Sequence, residues 1–321
     1  MTKGLTIIQE LELLSALESR GESPLKFAYI GTRYRNWIEI ANKSRENHQI
    51  KFKEDVLKRE SLPFILHGID REIGIVNIID FGCGDGLPMV PIFKYLKSIL
   101  HISTLRYIPV DISKSMLEEA QKTIRKNFSK IEILPVVFDF EKGEILEKIL
   151  KLGRNENNRN YFFLLGNTLG NFNNTEEVLL NLKLSMFSND HLIIGNQIAN
   201  TIASSKWIEY YHSIEVFNLV AGTLKSYGMK CEFDEFNVRW NAQRKQIEML
   251  LMLNKDKQID IARHTVRFEK NEEILLAVSK KFAEETIVEI FNRVGFRIDL
   301  FTTNVQKDTC IISVTPTRYK S

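Results

Sequence analysis

The stretch Ile75-Val76-Asn77-Ile78-Ile79-Asp80-Phe81-Gly82-Cys83-Gly84-Asp85-Gly86 reads as a buried apolar strand running into an acid and a turn with glycine at every other position. Glycine admits positive φ and leaves no Cβ between backbone and ligand, so Gly82, Gly84 and Gly86 predict a tight bend that approaches a bound molecule. A helix is expected from Leu87 onward, with Pro88 suited to its first turn. A dinucleotide site would use G-x-G-x-x-G to admit a pyrophosphate. Here the third glycine comes one residue early and Asp80 adds negative charge, a combination that suits a cationic ligand and points to S-adenosylmethionine.

Working outward, Arg106-Tyr107-Ile108-Pro109-Val110-Asp111 reads as a second strand, closed by an acid that can accept hydrogen bonds from both hydroxyls of a ribose. Ile131 to Phe140 predicts a third strand, with terminal Asp139 accepting from an adenine amino group and Phe140 packing on the ring. The helical stretch Lys114–Phe128 lies between them. The order of strand, helix and acid is what an adenosine site at the carboxyl edge of a parallel sheet requires.

The alternation of short apolar strands and helices continues through Tyr161–Leu165 and His191–Gly195, which predicts an α/β fold, a mainly parallel sheet with helices on both faces. Helical periodicity in Ile7–Leu17 and Asp55–Leu66, broken at Ser23-Pro24, makes residues 1–70 a helical preface. Residues 71–200 form the expected cofactor-binding domain and 201–280 an inserted lobe. The latter is helical over Ser205–Leu224 and β-rich over Cys231–Trp240 and Ile247–Leu253, with Asn241–Arg244 as a hairpin turn. Residues 281–321 close the sheet with the helix Phe282–Val294, a stop at Gly295, and the strands Arg297–Thr302 and Thr309–Val314.

Length and composition set limits on function. The 321 residues, 44% of them hydrophobic, can bury a substantial core, and a net charge of +3 from 44 basic and 41 acidic residues leaves no broad footprint for nucleic acid. Arg33-Tyr34-Arg35 reads as a solvated helix face. Cys83, Cys231 and Cys310 share no C-x-x-C spacing, so a disulfide framework and a zinc site are both unexpected, and a reducing cytoplasm fits. The histidines at 48, 67, 101, 191, 212 and 264 show no metal-ligand spacing, so no metal is expected. No apolar run is long enough to span a bilayer.

The segment Leu164-Leu165-Gly166-Asn167-Thr168-Leu169-Gly170-Asn171-Phe172 follows the fourth predicted strand, where ligand and acceptor would meet. Asn171 is a candidate to accept a hydrogen bond from an amine through its amide oxygen. Asn173-Asn174-Thr175-Glu176-Glu177 beside it has the composition of a capped helix start.

With these motifs in hand, the chain resembles the histidine-specific methyltransferase family, typified by the ergothioneine-pathway enzyme that trimethylates the α-amine of histidine. The resemblance covers most of the chain. It rests on Lys26-Phe27-Ala28-Tyr29, the Asp80–Gly86 turn, Tyr107–Ser113, Leu165–Phe172, Phe217-Asn218, Gln246-Ile247-Glu248-Met249 and Val278-Ser279-Lys280-Lys281-Phe282. It implies a class I methyltransferase (Rossmann-like) domain bound to S-adenosylmethionine, with a substrate lobe built from the N-terminal helices and the insertion. It also implies that Tyr29 and Asn171 hold the amino end of a small amino-acid-like substrate and that Gly166 approaches the cofactor. Ser279, with Tyr210 or Tyr211, would bind the polar end, and Met249 would line the side-chain pocket. Taken alone, Met249 in the alternation Ile247-Met249-Leu251 reads as a core strand residue.

Departures from the family pattern shift the expected acceptor. The glutamate that binds imidazole in the family, two residues before the matched serine, is Ala277 here, so the expected acceptor is an amino acid or a derivative other than histidine. The tyrosine-rich carboxylate clamp finds no counterpart in 41–48, which raises carboxyl or hydroxyl methylation of a peptide or other natural product as an alternative. A third reading is a cofactor-binding scaffold or regulator without activity.

Overall fold

The computed structural model describes residues 4–44, 53, 55–66, 75–99, 105–143, 145, 147–148, 158–199 and 204–317. Two compact units emerge, one of Met1–Arg45 with Asn200–Lys281 and the other of Glu46–Ala199 with Phe282–Ser321.

The second unit is built on an eight-stranded sheet. Its first six strands are β1 (Val76–Phe81), β2 (Leu105–Asp111), the short β3 (Glu132–Ile133) and β4 (Val136–Val137), β5 (Arg159–Leu164) and β6 (His191–Gln197). In β1 every residue is buried, because helices cover both faces. Alternation sorts the side chains: Ile79 and Phe81 join one apolar cluster with Val178, Leu182, Ile287 and Phe291. Val76 and Ile78 join the other, with Ile92, Phe93, Leu117 and Ile124. β1 pairs in parallel with both β2 and β5. The chain thus leaves β1 first to one side and then to the other, and the crevice beyond Phe81 is the topological switch point where such sheets bind ligands.

Two expectations for this unit need correction. The helical stretch 55–66, a π turn over Leu57–Ser61 followed by the α-helix Leu62–Leu66, sends Val56, Leu57 and Leu62 into the core against Val76 and Ile78. It belongs to the α/β unit, so the N-terminal part of the lobe ends near residue 45 instead of 70. Periodicity reveals that a helix has an apolar face, not which core receives it. The third strand, expected over 131–140, is broken into β3 and β4, both paired with β2. Pro135 lies at the break and has no N–H to give the ladder. Asp139 consequently sits in the loop beyond β4 and does not terminate a strand.

In the first unit the helix Ile7–Glu18, closed by a capping box of Thr6 and Gln9, buries Leu13, Leu14 and Leu17 against the insertion. The helical region 204–226 is three pieces, Ser204–Tyr211, Ile214–Val220 and Gly222–Ser226, the second capped by the Ser213 hydroxyl. β7 (Phe236–Asn241) and β8 (Gln246–Met252) form the expected hairpin, although Cys231–Glu235 ahead of it is not strand. A second hairpin, β9 (Lys257–Ile261) and β10 (His264–Phe268), turns through Ala262 and Arg263 at φ 49° and 69°. That turn has the left-handed geometry of Asn-Gly without its sequence, which is why the pattern of residues did not reveal it. β11 (Glu273–Lys280) completes a sheet of order β11-β8-β7. Ile274 pairs with Leu251 and Ala277 with Met249, so one extra residue is accommodated between Leu275 and Ala277.

The chain then returns to the second unit through the helix Glu284–Val294, stopped by Gly295 at φ 86°, to β12 (Phe296–Thr303) and β13 (Thr309–Pro316). β13 runs antiparallel between β6 and β12, giving the order β12-β13-β6-β5-β1-β2-β3 with β4 also on β2. Among the described residues no helix is long and apolar enough to cross a membrane.

Candidate functional site

The glycine turn follows β1 directly. Gly82, Gly84 and Gly86 all have positive φ, at 61°, 53° and 72°. Gly86 is needed for packing, since a Cβ there would lie 2.9 Å from the Cα of Ala120 on the helix Lys114–Asn127. Gly82 is different. A Cβ on it would sit in ordinary van der Waals contact with Phe140 and Thr168, each at 3.9 Å, so the positive φ and not crowding calls for glycine there. The turn after β1, the loop after β4 and the loop after β5 therefore converge at Gly82, as the sheet topology requires.

Buried acids accompany the turn. Asp80 accepts a hydrogen bond from the Tyr107 hydroxyl at 2.7 Å. Burial nevertheless pushes its pKa up to about 7, against the pull of the Tyr107 bond and with the charges of Asp111 and Asp85 adding to the rise. Asp111 is also raised to about 7 by burial, although backbone N–H groups of Ser113, Gly84 and Ile112 favour its charged form. Its Oδ1 accepts from the Ser113 N–H at 2.8 Å. Neighbouring carboxylates with this much difficulty ionising provide a strong electrostatic reason to bind a cation. Cys83 is inert here, because burial and the same acids raise its thiol well above the usual range.

Asp139, half-buried, accepts the Glu141 N–H at 3.2 Å in a turn. Phe140 packs edge-on to Phe81 and to Phe172, with ring centroids 5.4 and 5.9 Å apart. Gly166 has φ 89°, and its carbonyl accepts from Lys53 Nζ at 2.8 Å. The same ammonium donates to Asn167 Oδ1 at 3.2 Å. Asn174 caps the next helix by accepting from the Glu177 N–H at 3.2 Å. Asn171 ends the short turn Thr168–Asn171, is partly exposed, and its side chain makes no hydrogen bond among the described residues. Asn167 and Asn174, by contrast, both have protein partners for their side chains.

The remaining candidates belong to the first unit. Tyr29 closes the turn Leu25–Tyr29 and is half-buried. Geometry separates the two insertion tyrosines: Tyr210 bonds to the Ser44 hydroxyl at 3.1 Å, whereas the Tyr211 hydroxyl lies 3.0 Å from Ser279 Oγ. Met249 and Ala277 are partners across β8 and β11 and both lie in the apolar core of this unit. Arg33, expected on a solvated face, is buried and donates to the Phe27 carbonyl at 3.1 Å and to Ser226 Oγ at 3.1 Å, tying the N-terminal turn to the insertion.

Three residues that the motif reading passed over complete the picture. Tyr107 and Lys53 hold candidate groups in place, and Lys281, fully buried, donates to Ser279 Oγ at 2.9 Å and to Tyr211 Oη at 3.1 Å. A polar tip in a wholly buried strand is a signal for Tyr107, and the spacing Ser279–Lys281 on an apolar strand is one for Lys281. Lys53 has none, since its partners are distant in sequence. Among the described residues no group of three or more His, Cys, Asp or Glu side chains is placed to hold a metal. His48, His67 and His101 lie outside the described residues.

Comparison with known proteins adds a consistent result. The profile described as "Histidine-specific methyltransferase, SAM-dependent" matches residues 55–315. The chain is 27% identical over 205 residues to the histidine N-alpha-methyltransferase of Mycobacterium tuberculosis (strain CDC 1551 / Oshkosh). It is 28% identical over 204 residues to that of Mycolicibacterium smegmatis (strain ATCC 700084 / mc(2)155). Each match spans 60% of this chain and 61% of the relative, so the chain spans about three fifths of the length of these proteins. Among solved structures, the CurJ carbon methyltransferase superposes with a TM-score of 0.52 at 10% identity, over 97% of this chain and 67% of that one, a likeness of fold.

Proposed function

Given that the chain belongs to the histidine-specific, SAM-dependent methyltransferase family, we propose that it transfers a methyl group to the amine of a small amino-acid-like acceptor other than histidine. When bound, S-adenosylmethionine supplies a methyl group made electrophilic by the sulfonium. The residues present fit it. Buried Asp80 and Asp111 favour a cation, and Gly82 brings the turn together with the loops of Phe140 and Thr168 beside them. Asp111 would hold the ribose, Asp139 and Phe140 the adenine, and Gly84, Gly86 and Gly166 the backbone cradle. That pairing of buried acids with a positive-φ glycine turn on which three loops converge is the observation that carries the proposal.

On the acceptor side, an α-amine with an ordinary pKa near ~8 is partly neutral at physiological pH, so the site has to position it more than deprotonate it. Asn171 is suited to accept from the amine, with Tyr29 assisting. Tyr211 and Ser279 would take the polar end, and Met249 with Ala277 would shape the side-chain pocket. Ala277, where the family has a carboxylate, supports an acceptor that lacks imidazole. The cysteines, free and buried, suit action in the cytoplasm.

The test is a panel of amino acids, amines and short peptides incubated with S-adenosylmethionine and read by mass spectrometry. N-methylated amino acids other than histidine are the expected product. Histidine as the best acceptor would overturn the specificity, base-labile methyl esters would overturn the amine, and no S-adenosylhomocysteine with any member would overturn the activity.

A further inference from the structure

Lys281, Ser279 and Tyr211 close a triangle. Nζ of Lys281 lies 2.9 Å from Ser279 Oγ and 3.1 Å from Tyr211 Oη, and the two oxygens are 3.0 Å apart. The lysine is wholly buried, its ammonium 5.5 Å from the ring centre of Trp207 and 5.2 Å from that of Tyr211. Its backbone is fixed as well, since its N–H donates to the Lys245 carbonyl at 2.8 Å. Neither hydroxyl has another partner among the described residues.

The proton count then has a direction. An ammonium only donates, so Lys281 fills one lone pair on each oxygen. The contact between the oxygens uses one hydroxyl proton, and the oxygen receiving it has both lone pairs filled. The other proton must point away from the triangle. Ser279 is buried and Tyr211 only partly so, and a buried donor left unmade is costly, so Ser279 donates to Tyr211 and the phenol proton is the one turned outward.

We propose that Lys281 is a positioning residue that fixes Tyr211 as a hydrogen-bond donor to the acceptor, selecting a ligand group with lone pairs and no proton, a carboxylate above all. This rests on the reading that Tyr211 meets the acceptor. The nearby ammonium favours the same ligand charge, and a protonated group would find no acceptor there.

The test compares matched acceptors with and without a carboxylate: L-leucine with isoamylamine, L-phenylalanine with phenethylamine, and L-histidine with histamine. Wild type is expected to favour the acid at least ~10-fold in kcat/KM, as for a charge-assisted hydrogen bond. Lys281→Met and Tyr211→Phe should each lower that ratio, with the double variant no lower than Tyr211→Phe alone and S-adenosylhomocysteine affinity unchanged. Should Lys281→Met fail to fold, Lys281→Gln serves, because its amide oxygen can accept the phenol proton and turn it inward. A ratio unaffected by changing Lys281 but lowered by Tyr211→Phe overturns the lysine's role alone. Amines used as well as acids by wild type overturn the selected chemistry while leaving methyl transfer intact. Absence of methylation across the larger panel overturns the reading beneath both.

Discussion

Tyr107 and Asp80 sit on neighbouring parallel strands, and the 2.7 Å bond from phenol to carboxylate stabilises the ionised acid at the mouth of the glycine turn. Burial opposes that ionisation strongly enough to leave the pKa near 7 even so. Tyr107→Phe should therefore weaken S-adenosylmethionine binding about 10-fold at neutral pH, the scale of one charged hydrogen bond. The loss should shrink at alkaline pH, where Asp80 ionises regardless. Calorimetric titrations at two pH values check this.

The same acids make stability depend on pH. Asp80 and Asp111 have folded pKa values of about 7, above the ~3.9 of an unfolded aspartate. The folded state thus holds more protons between those values, and its stability falls as pH rises from about 4 to 7, then levels. Asp80→Asn should flatten that decline in denaturant titrations of the ligand-free protein. Cation binding favours the ionised forms, so S-adenosylmethionine should bind more tightly as pH rises through 7, with proton release visible in buffers of different ionisation enthalpy.

Two glycines of one turn should respond differently to the same added methyl. Gly86→Ala places a Cβ 2.9 Å from the Ala120 backbone at positive φ and should cost about 2–4 kcal/mol of stability. Gly82→Ala meets only ordinary contacts and should cost nearer ~1 kcal/mol, yet abolish most cofactor binding by placing a methyl between the turn and the loops of Phe140 and Thr168. Equal effects on both measurements would remove the distinction.

Asn171→Ala should lower turnover at least ~100-fold while changing S-adenosylhomocysteine affinity less than ~3-fold. Its amide has no described protein partner to lose, so folding should be unaffected. Parallel loss of turnover and cofactor affinity would put Asn171 on the wrong ligand.

Ala277→Glu should raise histidine affinity about 10-fold by restoring a carboxylate near Ser279. Because Ala277 is buried with Met249, the variant should also lose stability, about 2–4 kcal/mol, which added histidine should partly restore. No gain in histidine binding would mean that the pocket is mapped to the wrong strand position.

The mainly parallel sheet was legible because its central strands are buried on both faces and read as continuous apolar runs, as in Val76–Phe81 and Arg159–Leu164. Asp80, Asp111 and the glycines followed from position relative to those runs. What could not be read was anything set by long-range packing. The helix at Leu62–Leu66 has the same periodicity whichever core takes it, and Pro135 looks tolerable until the ladder it interrupts is known. The β9–β10 turn at Ala262-Arg263 carries no glycine to announce it. Which of the adjacent Tyr210 and Tyr211 faces Ser279 is a matter of helix phase, visible only with the partner strand in place.

The residue inserted in β11 between Leu275 and Ala277 has the last word on the polarity of the lobe. Side chains on a strand alternate, so each added residue exchanges odd for even on everything downstream. Were Leu276 accommodated by plain alternation instead of a bulge, Val278 and Lys280 would take the inward places of Ser279 and Lys281. Parity, more than the chemistry of any one side chain, determines which lysine the fold has kept dry.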